Sequence, residues 1–214
     1  MGREFIDLFD HWADHYELTV GGHDKEYTEV FQNYDAILEA VAERSCGTAL
    51  EFGAGTGNLT EKLLRRCNGV YAVEPSTGMR KEFEKRDLKA VLLDGDFLQF
   101  PSIPEQLDTI VSTYAFHHLT DTEKEQAIAL YSTLLGAGGQ IIFADTIFQD
   151  EDARKQIEND AEQTGYMKLL KDLQSEYYTT LDVLEKICRT HGLAVSFEQL
   201  NRYVWLMHAK KESV

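Results

Sequence analysis

Between residues 48 and 146, short apolar runs alternate with stretches of helical periodicity, and this alternation constrains the fold more than any other feature of the chain. Thr48-Ala-Leu-Glu-Phe52, Val70-Tyr-Ala-Val73, Ala90-Val-Leu-Leu93, Thr109-Ile-Val-Ser112 and Ile141-Ile-Phe-Ala144 read as five strands. They are continuous apolar runs, as expected of strands covered by helices on both faces. The segments between them carry helix signals. Asn58, with Glu61 three residues on, reads as the N-cap of a helix burying Leu59, Leu63 and Cys67. Ser76 reads as the cap of a helix carrying Met79 and Phe83, and Thr120-x-x-Glu123 is a capping box ahead of Ala127, Leu130, Tyr131 and Leu134. Gly136-Ala-Gly138-Gly139 should stop that last helix. Units of these lengths imply parallel pairing through right-handed crossovers. The end of the chain breaks the pattern. After a helix capped by Thr179 or Thr180, the runs 194–198 and 203–208 are separated only by a short turn, so the last strand is expected to run antiparallel.

The flanks complete a single α/β domain. Residues 1–45 read as two helices broken at Gly21-Gly22, with Phe5, Leu8, Phe9, Trp12 and Tyr16 at helical spacing in the first and Tyr27, Val30, Phe31, Tyr34, Ile37, Leu38 and Val41 in the second. They form a helical cap to the unit 46–214. Residues 150–178 are strongly charged and helix-prone, and read as an insertion with the character of a lid. A chain of 214 residues buries enough surface to stand without staples. Its three cysteines, Cys46, Cys67 and Cys188, are widely spaced, which argues against a zinc site or a disulfide framework and fits a reducing compartment. The first residues, Met1-Gly-Arg-Glu-Phe-Ile-Asp-Leu, lack the apolar core of a signal peptide, and no apolar run reaches membrane-spanning length. A cytoplasmic location is the expectation. With a net charge of −16, the surface repels phosphate backbones and anionic headgroups, so neither nucleic acid nor a membrane is expected as partner.

Gly53, Gly55 and Gly57 follow the first strand and open the first crossover helix, the context in which a glycine motif carries meaning. Glycines there let a ligand lie against bare main chain. Glu74, at the end of the second strand, stands 21 residues after Gly53, where a carboxylate can bind both hydroxyls of a ribose. A tight turn without ligand competes with this reading. The nicotinamide fingerprint needs its third glycine one residue later than Gly57, which counts against a dinucleotide.

At this point Glu51-Phe-Gly-Ala-Gly-Thr-Gly57 resembles the acidic, triple-glycine motif of the class I S-adenosylmethionine-dependent methyltransferases. The similarity continues through Glu74-Pro75-Ser76, Gly95-Asp96-Phe97 and Phe116-His117-His118, and includes an N-terminal Trp12-Ala-x-x-Tyr16 segment. It is nearest to a group of bacterial methyltransferases of the small-molecule type. The resemblance implies a Rossmann-like sheet of seven strands, mostly parallel with the last antiparallel, and S-adenosyl-L-methionine as cofactor. It further implies that Gly53, Gly55 and Gly57 lie against the methionine portion and that Glu51 fixes the loop and the amino group. Glu74 would hold the ribose, Asp96 the adenine amino group, and the Phe97 backbone the ring. Residues from Ser112 to Ala115, Tyr114 among them, would floor the site, and Tyr16 would close it. For Asp96 a purely loop-capping role competes, and for Tyr16 the polar tip of a core face.

Transfer of a methyl group depends on holding the acceptor in line, and a base is needed only when the acceptor must lose a proton. His117, His118, His23 and Asp145 are the candidates, with loop ordering as the competing role of the two adjacent histidines. Tyr177-Tyr178 reads either as pocket lining or, more simply, as core packing. The Asn/Asp-Pro-Pro-aromatic run of enzymes that methylate nucleic-acid bases is replaced here by Ser112-Thr-Tyr-Ala-Phe-His, so a small-molecule acceptor is expected. Two other functions share the glycine loop: a non-catalytic module binding S-adenosylmethionine or S-adenosylhomocysteine, and a nicotinamide-dependent oxidoreductase.

Overall fold

The computed structural model describes residues 24–212. Seven strands form one sheet in the order β3-β2-β1-β4-β5-β7-β6. They are β1 (Thr48–Phe52), β2 (Gly69–Val73), β3 (Val91–Leu93), β4 (Leu107–Thr113), β5 (Leu135–Thr146), β6 (Leu193–Gln199) and β7 (Val204–Lys211). The first five pair in parallel, and β7 lies antiparallel between β5 and β6. The strand order reverses between β1 and β4, the point at which an open α/β sheet leaves a crevice beyond its carboxyl ends.

Helices cover both faces, which is why the strands are apolar throughout. Ile141, Ile142, Phe143 and Ala144 are all essentially inaccessible. Their side chains alternate between two cores, as the two-residue period of a strand demands. Ile141 and Phe143 join Leu50, Phe52, Ile110, Met207 and the helices α4 (Asp121–Leu134) and α7 (Leu181–Thr190). Ile142 and Ala144 join Val111, Leu206, α1 (Tyr34–Arg44) and α2 (Asn58–Leu63). The short α3 (Thr77–Lys85) seats Phe83 against Ala54 and Ala72.

The helix caps match expectation in two cases and differ in one. Ser76 accepts from the Met79 amide, and Thr120 and Glu123 form the reciprocal capping box of α4. Asn58, in contrast, is the first residue of α2 rather than its cap. Gly57 takes the cap position in a left-handed conformation, and the Asn58 carboxamide oxygen accepts from Arg86 at 2.6 Å. The crowding that a Gly57 side chain would meet from Leu88 and Phe83 explains why glycine occupies that position. At the other end, α4 stops at Leu134 and β5 begins at once, so Gly136 to Gly139 belong to the strand entry. Thr180, not Thr179, is the cap residue of α7.

Residues 150–178 form α5 (Glu151–Thr164) and α6 (Met167–Ser175), with Ile157, Ala161, Leu169, Leu170 and Leu173 buried against the α1 face of the sheet. A 3-10 turn at Lys25–Tyr27 docks on α6: the Glu26 carboxylate accepts from the Lys168 and Leu169 amides, and the Tyr27 hydroxyl donates to Asp172. A carboxylate over the first turn of a helix contributes about 0.3–1 kcal/mol. Asn201, in the β6–β7 turn, fixes the same segment by donating to the Val30 and Gln32 carbonyls. The segment 24–33 therefore lies across the carboxyl end of the sheet, held at both edges. Among the described residues no helix is long and apolar enough to cross a membrane.

Candidate active site

The site assembles where β1, β2 and β4 end. Gly53 and Ala54 both donate to the Val73 carbonyl, bending the chain over the end of β2. Gly53 has a φ of 66° and sits so close to the β4 loop that a Cβ there would lie 2.6 Å from that of Ala115. Gly55 (φ 56°) differs: among the described residues a Cβ on it would meet nothing within 4 Å. Its amide donates to Glu74 Oε2 at 2.8 Å, while Glu74 Oε1 accepts from the Ser76 amide at the same distance. Each oxygen of this buried carboxylate thus takes one backbone amide. Arg80 clamps the main chain beneath it through the Glu74 and Pro75 carbonyls.

Glu51 lies inside the loop, buried, with the Thr60 hydroxyl donating to it at 2.5 Å, so it ties β1 to α2. Burial pushes its carboxyl up to about 8; the Thr60 hydrogen bond opposes this and the Glu74 charge adds to it. Asp96 Oδ1 accepts from the Leu98 and Gln99 amides, which is the loop-capping role. Phe97 follows it, its carbonyl accepting from Tyr131 at 2.7 Å and its ring stacked on Phe52. The expected cofactor residues of the glycine loop, Glu74, Asp96 and Phe97 all occupy the carboxyl ends of strands β1 to β3.

Tyr114 follows β4 with a φ of 52°, a conformation that costs a non-glycine residue free energy and that concentrates at functional sites. Its amide reaches the Ala144 carbonyl, and its ring packs on Phe31 and Tyr34 at 5.1 and 5.6 Å. Three residues on, His117 is held on both sides. Its amide donates to Asp145 Oδ2, its Nδ1–H faces Asp145 Oδ1 at 2.5 Å, and Nε2 lies 3.3 Å from Glu176 Oε2. Burial opposes protonation of this imidazole, but Asp145 and Glu176 outweigh it and hold His117 above the usual histidine range. His118, buried beside it, is pushed well below that range by burial and by the neighbouring His117 and Lys124 charges. Two adjacent histidines therefore take opposite protonation tendencies. Burial also raises the Glu176 carboxyl, against the pull of His117 and of the Tyr178 hydroxyl.

A cavity of about 80 Å³ opens here, lined by Tyr27, Phe31, Tyr114, His117, Asp172 and Tyr178 among others. Of the tyrosine pair, Tyr178 lines this cavity and stacks on His117, whereas Tyr177 is 38% exposed and is not core packing. Asp145 serves as the partner that orients His117. Tyr16 and His23 lie outside the described residues. Asp172, Glu176 and Tyr27 complete the cavity without any local sequence signal, because each reaches it across a long chain separation. His117, His118 and Glu176 also place one ligand atom each within 4.8 Å of one another, a spacing that a metal ion can bridge.

A methyltransferase domain family matches residues 49–139. A methyltransferase of Geobacillus thermodenitrificans is 55% identical over 214 residues, covering all of both chains. Another, from Anoxybacillus flavithermus, is 52% identical over 99% of this chain and all of its own. The chain belongs to a family of methyltransferases. Their class I fold is also that of the DhpI–SAH complex, which superposes with a TM-score of 0.70 at 15% identity, over 97% of this chain and 95% of that one. As a methyltransferase, the protein has the sheet expected from its sequence, with β7 as the antiparallel strand.

Proposed function

We propose that this methyltransferase acts on a small-molecule acceptor bound in the cavity beside His117, with its cofactor held by the glycine loop, Glu74 and Asp96. The observation that carries the cofactor half is the Glu74 carboxylate, braced by the Gly55 and Ser76 amides. Those residues fit a ribose-bearing ligand: an oriented carboxylate stands beside a glycine whose Cβ position is open among the described residues. Glu74 receives the ribose hydroxyls, Asp96 and the Phe97 backbone receive the adenine, and Glu51 keeps the loop in register through Thr60. Tyr114 floors the junction between loop and cavity, since its neighbour Ala115 leaves no room for a side chain at Gly53. S-Adenosylmethionine, when bound, supplies an electrophilic methyl group.

The acceptor half rests on the cavity itself. Its walls come from β4, the 3-10 turn, α6 and the residues after it, an enclosure sized for a small molecule. The insertion 150–178 is thus the acceptor-side wall of the domain. His117 and His118 act on the acceptor side, His117 as the group able to hold or release a proton at Nε2. The −16 surface favours a small molecule over nucleic acid.

Calorimetry tests the cofactor site. Micromolar binding of S-adenosylmethionine and none of NADH is expected; tighter NADH binding would defeat this assignment. Glu74→Ala should weaken S-adenosylmethionine by about 1–3 kcal/mol, the cost of removing a buried charged acceptor. Unchanged affinity in a folded variant would place the ribose elsewhere.

A further inference from the structure

The cavity beside His117 has a composition that the cofactor site does not explain. Two carboxylates face it, Asp172 from α6 and Glu176 from just beyond, and among the described residues no lysine or arginine lines it. Four aromatic rings complete the wall: Tyr27, Phe31, Tyr114 and Tyr178. Nearby positive charge is already engaged. His117 lies between Asp145 and Glu176, and the buried Lys124 ammonium donates to the Leu119 and Tyr177 carbonyls. The phenols cannot neutralise the acids, because each donates a neutral hydroxyl, Tyr27 to Asp172 and Tyr178 to Glu176. Each carboxylate retains acceptor capacity beyond that one bond.

From these groups we infer that the methyl acceptor is a small amine, bound as its ammonium form between Asp172, Glu176 and the aromatic walls; this rests on the methyltransferase reading of the site. Rings around a desolvated cation attract it through their faces, and carboxylates supply the hydrogen-bond acceptors that an ammonium needs. An anionic acceptor would meet Asp172 and Glu176 against the single imidazole of His117. A neutral alcohol would leave Asp172 without a counter-charge, since His117 reaches only Glu176 and Asp145.

The same groups serve the reaction. The ammonium gives one proton to the Glu176 carboxylate, which releases it to solvent. The freed nitrogen lone pair forms the N–C bond to the transferred methyl, and the S–C bond breaks with its pair remaining on sulfur. The products are a methylated ammonium and a neutral thioether, with one proton released to solvent.

Matched probes test this: propyl, 3-methylbutyl and 2-phenylethyl skeletons, each as amine, alcohol and carboxylate, offered to the full chain. Binding is read by calorimetry and transfer by labelled methyl. At least one amine should bind at least tenfold more tightly than its alcohol and carboxylate partners and become labelled on nitrogen. Asp172→Asn and Glu176→Gln should each weaken that amine tenfold or more while S-adenosylmethionine affinity stays unchanged. If no amine surpasses both partners, or if both variants bind it as the parent does, the inference is wrong. S-Adenosylmethionine binding, measured without any probe, separately tests the reading beneath it.

Discussion

Glu51 shows how one residue can carry a motif and a stability cost together. Its carboxyl is shut between β1 and α2, and burial raises it to about 8. The folded protein therefore holds a proton on Glu51 that the unfolded chain has released, from the ordinary carboxyl range up to about pH 8. Across that window stability falls as pH rises, by at most about 1.4 kcal/mol per unit, and above it the contribution is flat. Glu51→Gln removes the titration and keeps an oxygen for the Thr60 hydroxyl. Its melting temperature relative to the parent should climb between about pH 5 and pH 8 and then level. A difference that stays constant across that range would show Glu51 ionised throughout. The Glu-x-Gly opening of the motif was legible in the sequence because loop residues announce themselves by type and spacing. That its acid is fully enclosed was not, since burial depends on α2 folding over it.

At the scale of elements, the strands and the Ser76 and Thr120 caps could be read from local pattern; five strands stand within a residue or two of expectation, whereas β5 begins six residues before Ile141 and β7 ends three after His208. The Thr120 and Ser76 caps work through contacts three residues apart. The segment that walls the acceptor cavity depends on something else. Tyr27 meets Asp172 across 145 residues and Asn201 meets Val30 across 171, pairings that no periodicity encodes. Asn201 is the hub: its side-chain oxygen accepts from the Tyr203 and Val204 amides while its nitrogen holds two carbonyls of the segment. Asn201→Ala should cost about 1–3 kcal/mol through these lost partners. Hydrogen exchange should then speed up in residues 24–34 and at the β6–β7 turn, while α4 keeps its protection. Equal acceleration in α4 would mean that Asn201 supports the whole fold rather than this segment.

Across the whole molecule the decisive quantity is charge: 37 acids against 21 lysines and arginines leave −16. Salt acts on this in two opposing ways. It screens exposed ion pairs such as Arg65–Glu61, Lys155–Asp152 and Arg189–Glu185, each of which contributes roughly 0–1 kcal/mol. It also screens the mutual repulsion of the surplus acids, over a Debye length of about 10 Å at 0.1 M. Because the pairs are local and weak while the surplus acts over the entire surface, relief of repulsion should win. The melting temperature is expected to rise as sodium chloride increases from about 10 mM to about 200 mM. A falling melting temperature would show that the ion pairs dominate. The same field acts on ligands with the opposite sign, because an acidic protein concentrates cations at its clefts and salt removes that attraction. An amine bound at Asp172 and Glu176 should therefore lose affinity over the salt range in which the fold gains stability. Calorimetric titrations alongside thermal melts in the same buffers check both trends. Affinity that rises with salt would mean that the cleft does not present its acids to the ligand.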